Sequence, residues 1–386
     1  MACYHAVLGT TASLVWAGTI ATLAFAILWC TSSRERAETF LQCERPLDPL
    51  RGLDLDYSII VPVYNRPVDI AALIGRLGQQ VPSWASLGKG EIIVVDDGST
   101  DETVTVARNA LASVRMPSCV IHQVNAGVGA ARNAGFVHAR GAIVASIDSD
   151  CLPDPGWLPS LLGTAKHGSF AYAAAHSDRR ACYPIEVTPH GGHFAAVSFA
   201  VRRDIYLKIG GICKRFGHHL EDSDLYLKAK QHSIPTQYAA GATVWHPLRT
   251  RTLREVWRGG LLHEYDNLLE LRHGRHARRF LRNSFMGGNI GPHYLLSLII
   301  LSLSASFILG LLIGSFAGDL PNVVQQWFTT VAALSAVYLA GVAGAATYLR
   351  VPLSLWPRYF AAVLSNVIGS VIGRLRGTRR FGRLLI

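Results

Sequence analysis

Four short β-branched runs, at 58–63, 91–97, 119–122 and 142–147, alternate with stretches of helical spacing, and this alternation restricts the fold more than any other feature. Ser58-Ile-Ile-Val-Pro-Val63 stops at the turn-rich Tyr64-Asn65-Arg66-Pro67, after which 69–80 places its leucines on one helical side. Glu91-Ile-Ile-Val-Val-Asp-Asp97 leads into Gly98-Ser-Thr-Asp-Glu102, a turn and cap for a helix over 103–111. A third strand at 119–122, a third helix over 128–139 and a fourth strand at 142–147 complete the pattern. Apolar strands joined by helices predict an α/β fold, a parallel sheet covered on both faces.

Ligands of such sheets sit beyond the carboxyl ends of the strands, and Asp96, Asp97, Asp148 and Asp150 all fall there. Asp148 and Asp150 are two apart, so in extended backbone they point the same way and can address one cation. A hard divalent cation, Mg²⁺ or Mn²⁺, prefers such oxygens and neutralises a diphosphate leaving group. The same tripeptide also reads as a solvated turn before Cys151-Leu-Pro-Asp-Pro155. A second acidic cluster, Glu221-Asp-Ser-Asp224, opens a helical stretch, where acids are also favoured by the helix dipole.

The ends of the chain carry a different signal. Residues 6–30 hold no Asp, Glu, Lys or Arg and exceed the roughly 20 residues that span a bilayer, while Thr31-Ser32-Ser33 is a poor cleavage site, so a retained anchor is expected over 1–33. Runs 293–317 and 327–349, split by a short turn, read as a transmembrane hairpin. Stretch 356–372 contains Arg358, leads into Arg374, Arg376, Arg379, Arg380 and Arg383, and reads as an interfacial helix; a fourth span ranks second. Three spans put Arg34, Arg36, the 272–282 cluster and the tail on one side, the cytoplasm by the positive-inside rule. The expected organisation is an anchor (1–33), a linker (34–56), an α/β domain (57–250), basic juxtamembrane helices (251–292), a hairpin (293–350) and an interfacial helix with a basic tail (351–386). The net charge of +11 then serves anionic lipid rather than nucleic acid, because the arginines flank apolar runs. Seven cysteines without a CxxC pair point to reduced thiols, with neither a zinc site nor a disulfide framework.

Five segments now carry a resemblance. Ser58-Ile-Ile-Val-Pro-Val-Tyr-Asn-Arg66, Val95-Asp-Asp-Gly-Ser-Thr-Asp101, Asn125-Ala-Gly-Val-Gly-Ala-Ala-Arg-Asn-Ala-Gly135, Asp148-Ser-Asp150 and Glu221-Asp-Ser-Asp-Leu225 resemble family 2 glycosyltransferases, in that family's order, over about residues 57–246. The resemblance implies a GT-A fold with a mostly parallel mixed sheet, a nucleotide-sugar donor, a divalent cation and inversion at the anomeric carbon. It implies that Pro62, Tyr64, Asn65 and Arg66 hold base and ribose, that Asp96 and Asp97 recognise the nucleoside, and that Arg132, Asp148 and Ser149 approach the phosphates. Asp148, Asp150 and His246 would serve the metal. An inverting transfer needs a carboxylate that takes the acceptor proton. By motif this is Asp222, with Glu221 orienting the acceptor. His193 and Arg202 are acceptor-side candidates in a region where the family pattern is only partly present. Bland readings stand beside these: Tyr64 packing under its turn, Asp101 capping a helix, and Asn133 and Gly135 serving helix packing.

The expected activity is transfer of a single sugar, from a UDP-sugar by preference, to a lipid or lipid-linked glycan by a multi-pass protein of the bacterial inner membrane. Polymer-forming members carry a Gln-x-x-Arg-Trp motif, whereas this chain offers Arg254-Glu-Val-Trp-Arg-Gly-Gly260, so polysaccharide elongation is the alternative. A catalytically silent membrane scaffold that binds nucleotide sugars is the alternative from another class. A dinucleotide oxidoreductase is set aside, because 62–67 lacks the glycines of that turn.

Overall fold

The computed structural model describes residues 47–50, 52–176, 196–217, 219–247, 252–278, 280–281 and 353–381, with isolated helical residues at 340, 343, 344 and 347. Two compact units divide the chain, one within 36–250 and the other holding the residues from 251 onward. The expected anchor, most of the linker, almost all of the hairpin and the candidate His193 lie outside the described residues.

The first unit is built on an eight-stranded sheet with strand order 3-2-1-4-7-6-8-5. β1 (Leu55–Val63) lies between β2 (Gly90–Asp96) and β4 (Gly141–Ile147), parallel to both, and β3 (Ser118–His122) extends this parallel half. The interior residues of β1 and β2 are buried on both faces, which is why these runs read as unbroken apolar strings. β7 (Ser198–Arg202) runs antiparallel between β4 and β6 (Phe170–His176), so the sheet is mixed as the resemblance implied. β8 (Thr236–Trp245) pairs parallel with β6 and antiparallel with the two-residue β5 (Leu152–Pro153).

Helices α1 (Pro67–Gln80), α2 (Thr103–Ala112) and α3 (Val128–His138) connect the parallel strands close to their expected bounds. Proline opens α1, where its missing N–H costs nothing, and Ile70, Leu73, Ile74 and Leu77 give it one buried stripe. The α2 start is held by Asp101, whose carboxylate accepts the Thr103 N–H at 3.0 Å, as the capping reading anticipated. Gly135 of α3 lies over Ile60, and a Cβ there would come within 2.5 Å of Ile60 Cγ2. Asn133 accepts from the Tyr206 hydroxyl and the Ile212 N–H and donates to the Ile212 carbonyl. Both residues serve packing. Further along come α4 (Trp157–Ala165), α5 (Arg203–Lys208) and α6 (Glu221–Gln231).

The second unit pairs α7 (Leu253–Leu261) and α8 (Glu264–His273) with the long α9 (Trp356–Phe381). Thr252 and Glu255 form a reciprocal capping box at the start of α7. Gly260, Gly369 and Gly373 let α7 and α9 meet backbone to backbone: a Cβ on Gly260 would lie 2.7 Å from the Asn366 carbonyl, and one on Gly373 2.6 Å from the Leu261 carbonyl. Ion pairs Arg374–Asp266 (2.8 Å) and Arg380–Glu264 (3.2 Å) fasten the α9 end. The expected interfacial helix is thus one turn-for-turn continuous element reaching Phe381. Among the described residues, Leu353–Phe381 alone is long and apolar enough to cross a membrane.

Cys119 and Cys151 are free thiols, but Cys213 is disulfide-bonded. The expectation of reduced thiols throughout does not hold at Cys213.

Candidate active site

The chain leaves β1 towards β2 and β3, then returns to β4 on the opposite side, so the loops after β1 and β4 diverge. At this switch point a cavity of about 240 Å³ opens. Pro62 and Val63 at the end of β1, with Tyr64 of the turn that follows, form one wall, and Val128 and Ala131 of α3 form another. Charged side chains supply the rest: Arg66, Asp97, Arg132, Asp148, Asp150 and Glu221, beside Ser149.

Asp148 and Asp150 occupy a tight turn closed by the Cys151 N–H to the Asp148 carbonyl (3.0 Å), not the extended backbone that sequence spacing assumed. The strand ends at Ile147, and the turn presents both acids to the same cavity. Each already faces a guanidinium. Arg132, nearly fully buried, donates from Nη2 to Asp148 Oδ1 (2.6 Å) and to the Ala196 carbonyl (2.9 Å). Its Nη1 lies 3.8 Å from Glu221 Oε1, and among the described residues its Nε and Nη1 find no hydrogen-bond partner. Burial alone would lower the Arg132 pKa, but the Asp148 and Glu221 carboxylates outweigh it and the net shift is upward. Burial raises the Asp148 carboxyl above the usual range against the pull of Arg132.

Arg66 bridges two acids, with Nη1 3.2 Å from both Asp69 Oδ2 and Asp150 Oδ2. Its backbone is set by a clasp between two loops. Asn65, at φ +50°, accepts the Thr100 N–H, its own N–H reaches Ser99 Oγ, and the Arg66 N–H reaches Thr103 Oγ1, each at 2.8 Å. Asn65 therefore shapes the turn, while Tyr64 stands exposed at the cavity edge.

The other acids of the rim serve the loops. Asp97 Oδ1 accepts from Gln123 Nε2 (2.7 Å) and the Ala126 N–H (2.9 Å), and Oδ2 from the Gly127 N–H (2.8 Å). Asp96 is fully buried below the rim, with Oδ2 2.6 Å from His122 Nδ1 and 3.2 Å from the Ser99 N–H, and it does not line the cavity. Gly98, at φ +80°, permits this crowding, since a Cβ would come within 2.7 Å of the Asn125 nitrogen. Sequence reasoning missed the roles of Gln123, His122 and Asp69. Only Asp69, three residues after Arg66 at a helix start, left a readable signal.

Glu221 and Asp222 begin α6 directly after Leu220, a leucine held in left-handed backbone at φ +65°. Glu221 lines the cavity, whereas Asp222 Oδ1 accepts its neighbouring Ser223 N–H at 2.6 Å. Burial and the adjacent Asp222 carboxylate push the Glu221 pKa up to about 7, opposed by Arg132. Behind them Lys228 and Asp224, both buried, lie 3.6 Å apart, and Lys228 donates to the Gly211 carbonyl (2.7 Å). Arg202 is exposed and forked onto Asp204 at 2.6 and 3.1 Å, and the structure does not bring it to the cavity.

His246 reaches the rim from the end of β8, its Nε2 3.5 Å from Asp150 Oδ1. Its Nδ1 contacts the Pro247 carbonyl (2.9 Å), which accepts only, so that nitrogen carries the proton. In the neutral ring, Nε2 and the Asp150 oxygen are then two acceptors facing one another. A cation between them satisfies both, and the carboxylate–imidazole set fits a hard or borderline divalent ion. Cys151 adjoins this pair, but burial and the neighbouring carboxylates push its thiol far above neutrality, so it offers no thiolate.

Residues 58–214 match the family model for glycosyl transferase family 2. Over 116 residues the chain is 34% identical to the dodecaprenyl-phosphate galacturonate synthase of Rhizobium johnstonii, covering 30% of this chain and 33% of that protein. It is 31% identical over 126 residues to an undecaprenyl-phosphate 4-deoxy-4-formamido-L-arabinose transferase of Edwardsiella ictaluri, covering 32% and 38%. The chain thus spans about a third of the length of these curated relatives. Among solved structures it is similar to the mannosyltransferase PcManGT of Pyrobaculum calidifontis, in complex with GDP-Man and Mn²⁺, at a TM-score of 0.50 and 18% identity, covering 94% of this chain and 99% of that one. At that identity the likeness speaks to the fold, which is that of a GT-A glycosyltransferase.

Proposed function

From the match of residues 58–214 to the family model for glycosyl transferase family 2, we propose that this chain transfers one sugar from a nucleotide-sugar donor to a lipid or lipid-linked glycan acceptor at a membrane. One observation carries the proposal: Asp148 and Asp150, paired with Arg132 and Arg66, line one cavity at the switch point of the sheet, and His246 lies against Asp150. Such a set suits a diphosphate. Arg132 lines the cavity, and its Nε and Nη1, which have no hydrogen-bond partner among the described residues, offer donors to phosphate oxygens. Asp148, Asp150 and His246 would hold a divalent cation, which when bound would neutralise charge on the leaving nucleoside diphosphate.

The wall of Pro62 to Arg66 is the place for base and ribose, and Asp97 shapes that side by fixing the 123–127 loop. The Glu221–Asp222 pair supplies the carboxylate that takes the acceptor proton as its oxygen attacks the anomeric carbon. Asp222 is the base by motif. Glu221 is the second reading, favoured by its place in the cavity wall and its near-neutral pKa. The relatives named for polyprenyl phosphates support a lipid-phosphate acceptor, and the solved mannosyltransferase supports a nucleotide sugar with Mn²⁺. The apolar runs at both ends of the sequence support attachment to a membrane, with the catalytic unit on the cytoplasmic side.

The test is transfer of label. Membranes carrying the protein are given labelled UDP- and GDP-sugars with a polyprenyl phosphate, with and without a chelator. Label in the lipid fraction, abolished by the chelator and by Asp150→Asn, is the expected outcome; no transfer from any donor refutes the proposal.

A further inference from the structure

Arg66 presents an arrangement that donor binding alone does not call for. One guanidinium nitrogen, Nη1, is shared between Asp69 and Asp150, 3.2 Å from each, although one acid lies in the first turn of α1 and the other in the turn after β4. Asp150 is the more enclosed, with a side chain 10% exposed against 32% for Asp69. The other Asp150 oxygen faces His246. The Asp150 charge that would hold a divalent cation is therefore already compensated by a cation of the protein's own.

A dication arriving at Asp150 meets this guanidinium at short range, and like charges in a partly enclosed site repel strongly. Cation binding alone must displace Arg66. A nucleoside diphosphate changes the balance, because its oxygens give the guanidinium a bidentate partner while they give the cation further ligands. Asp69 sits at the first turn of α1, and the clasp of Asn65 with Ser99 and Thr100 anchors the Arg66 backbone. The arginine therefore swings on a fixed pivot with one partner retained.

We propose that Arg66 is a positioning residue that acts as a displaceable counter-ion of Asp150, kept within reach by Asp69, and that it makes cation and nucleotide binding mutually dependent. The inference rests on the Asp150 cation site proposed above. Each ligand then favours the other through the same arginine, as linkage requires. A cation would lodge in the site more weakly without its nucleotide.

The experiment measures Mn²⁺ affinity of the full chain in detergent, by titration with and without saturating UDP or GDP. In the wild type the nucleotide is expected to tighten Mn²⁺ binding by about 5–150-fold, the usual range of coupling between sites. Arg66→Met keeps the apolar stem and removes the charge. It is expected to tighten Mn²⁺ binding in the absence of nucleotide by about tenfold or more and to cut the coupling to a few-fold. Arg66→Lys, which keeps the charge, retains more of the coupling than Arg66→Met. Asp69→Asn removes the competing partner and is expected to weaken Mn²⁺ binding without nucleotide, an arm that stands even if Arg66→Met does not fold. Unchanged or weaker nucleotide-free Mn²⁺ binding in Arg66→Met, or tighter binding in Asp69→Asn, overturns the proposal. Absence of Mn²⁺ binding to the wild type with either nucleotide overturns the cation site itself, a different failure.

Discussion

Two adjacent glycines of α7 should respond to the same substitution with opposite sign. A Cβ added at Gly259 meets nothing within 4 Å, while one added at Gly260 lies 2.7 Å from the Asn366 carbonyl and 2.9 Å from Gly369 Cα. Alanine in a helix gains up to ~1 kcal/mol over glycine, because the unfolded chain has less freedom to lose. Gly259→Ala should keep that gain. At Gly260 the clash is with backbone on α9, and separating two packed helices costs about 1–3 kcal/mol. Gly260→Ala therefore nets a loss of up to ~2 kcal/mol, so the neighbours differ by about 1–3 kcal/mol. Melting of the full chain in detergent, followed by tryptophan fluorescence with Trp257 in the same turn, should move up by a degree or more for the first and down for the second, on a scale of ~2–4 °C per kcal/mol. Equal upward shifts for both variants would mean that α7 and α9 do not meet at these glycines, and the helix pairing would be wrong.

Two further outcomes concern the cavity. In Asp97→Asn one oxygen keeps its two partners while an amide NH₂ is turned against the Gly127 N–H, for a loss of about 2–3 kcal/mol in stability. Full stability with abolished UDP affinity would instead place Asp97 directly on the nucleoside. For the acid pair, Asp222→Asn should slow transfer by about 10²–10⁴-fold if Asp222 is the base. Glu221 is protonated below its pKa of about 7, so any rate that needs its carboxylate falls towards acid, roughly tenfold per pH unit. Glu221→Gln should erase that limb of the pH–rate profile, and a profile left unmoved removes Glu221 from the chemistry.

The strand–helix alternation was legible because both faces of β1 and β2 are buried, which leaves apolar runs that no amphipathic helix shows. β5, β6 and β7 escaped. Phe170-Ala-Tyr-Ala-Ala-Ala-His176 is rich in alanine and carries no β-branched signal, and its place is fixed by pairing with β7 and β8. The site acids were found by their position after strands, but their duties were not. Asp97 and Asp96 look alike in sequence, yet one binds a loop at the cavity and the other lies beneath it, a difference made by Gln123 and His122, both more than twenty residues away. The Arg66–Asp150 bridge joins positions whose neighbourhood exists only once β1 and β4 lie side by side.

Leu220, the residue just before α6, is held in left-handed backbone. Left-handed backbone is unfavourable for a residue with a Cβ by about 1–2 kcal/mol, and glycine would relieve it. The strain sits at the bend that aims Glu221 and Asp222. Selection for hardiness alone would remove the leucine. A glycine in its place should yield a sturdier protein whose acids wander, so the leucine trades robustness for accuracy of aim.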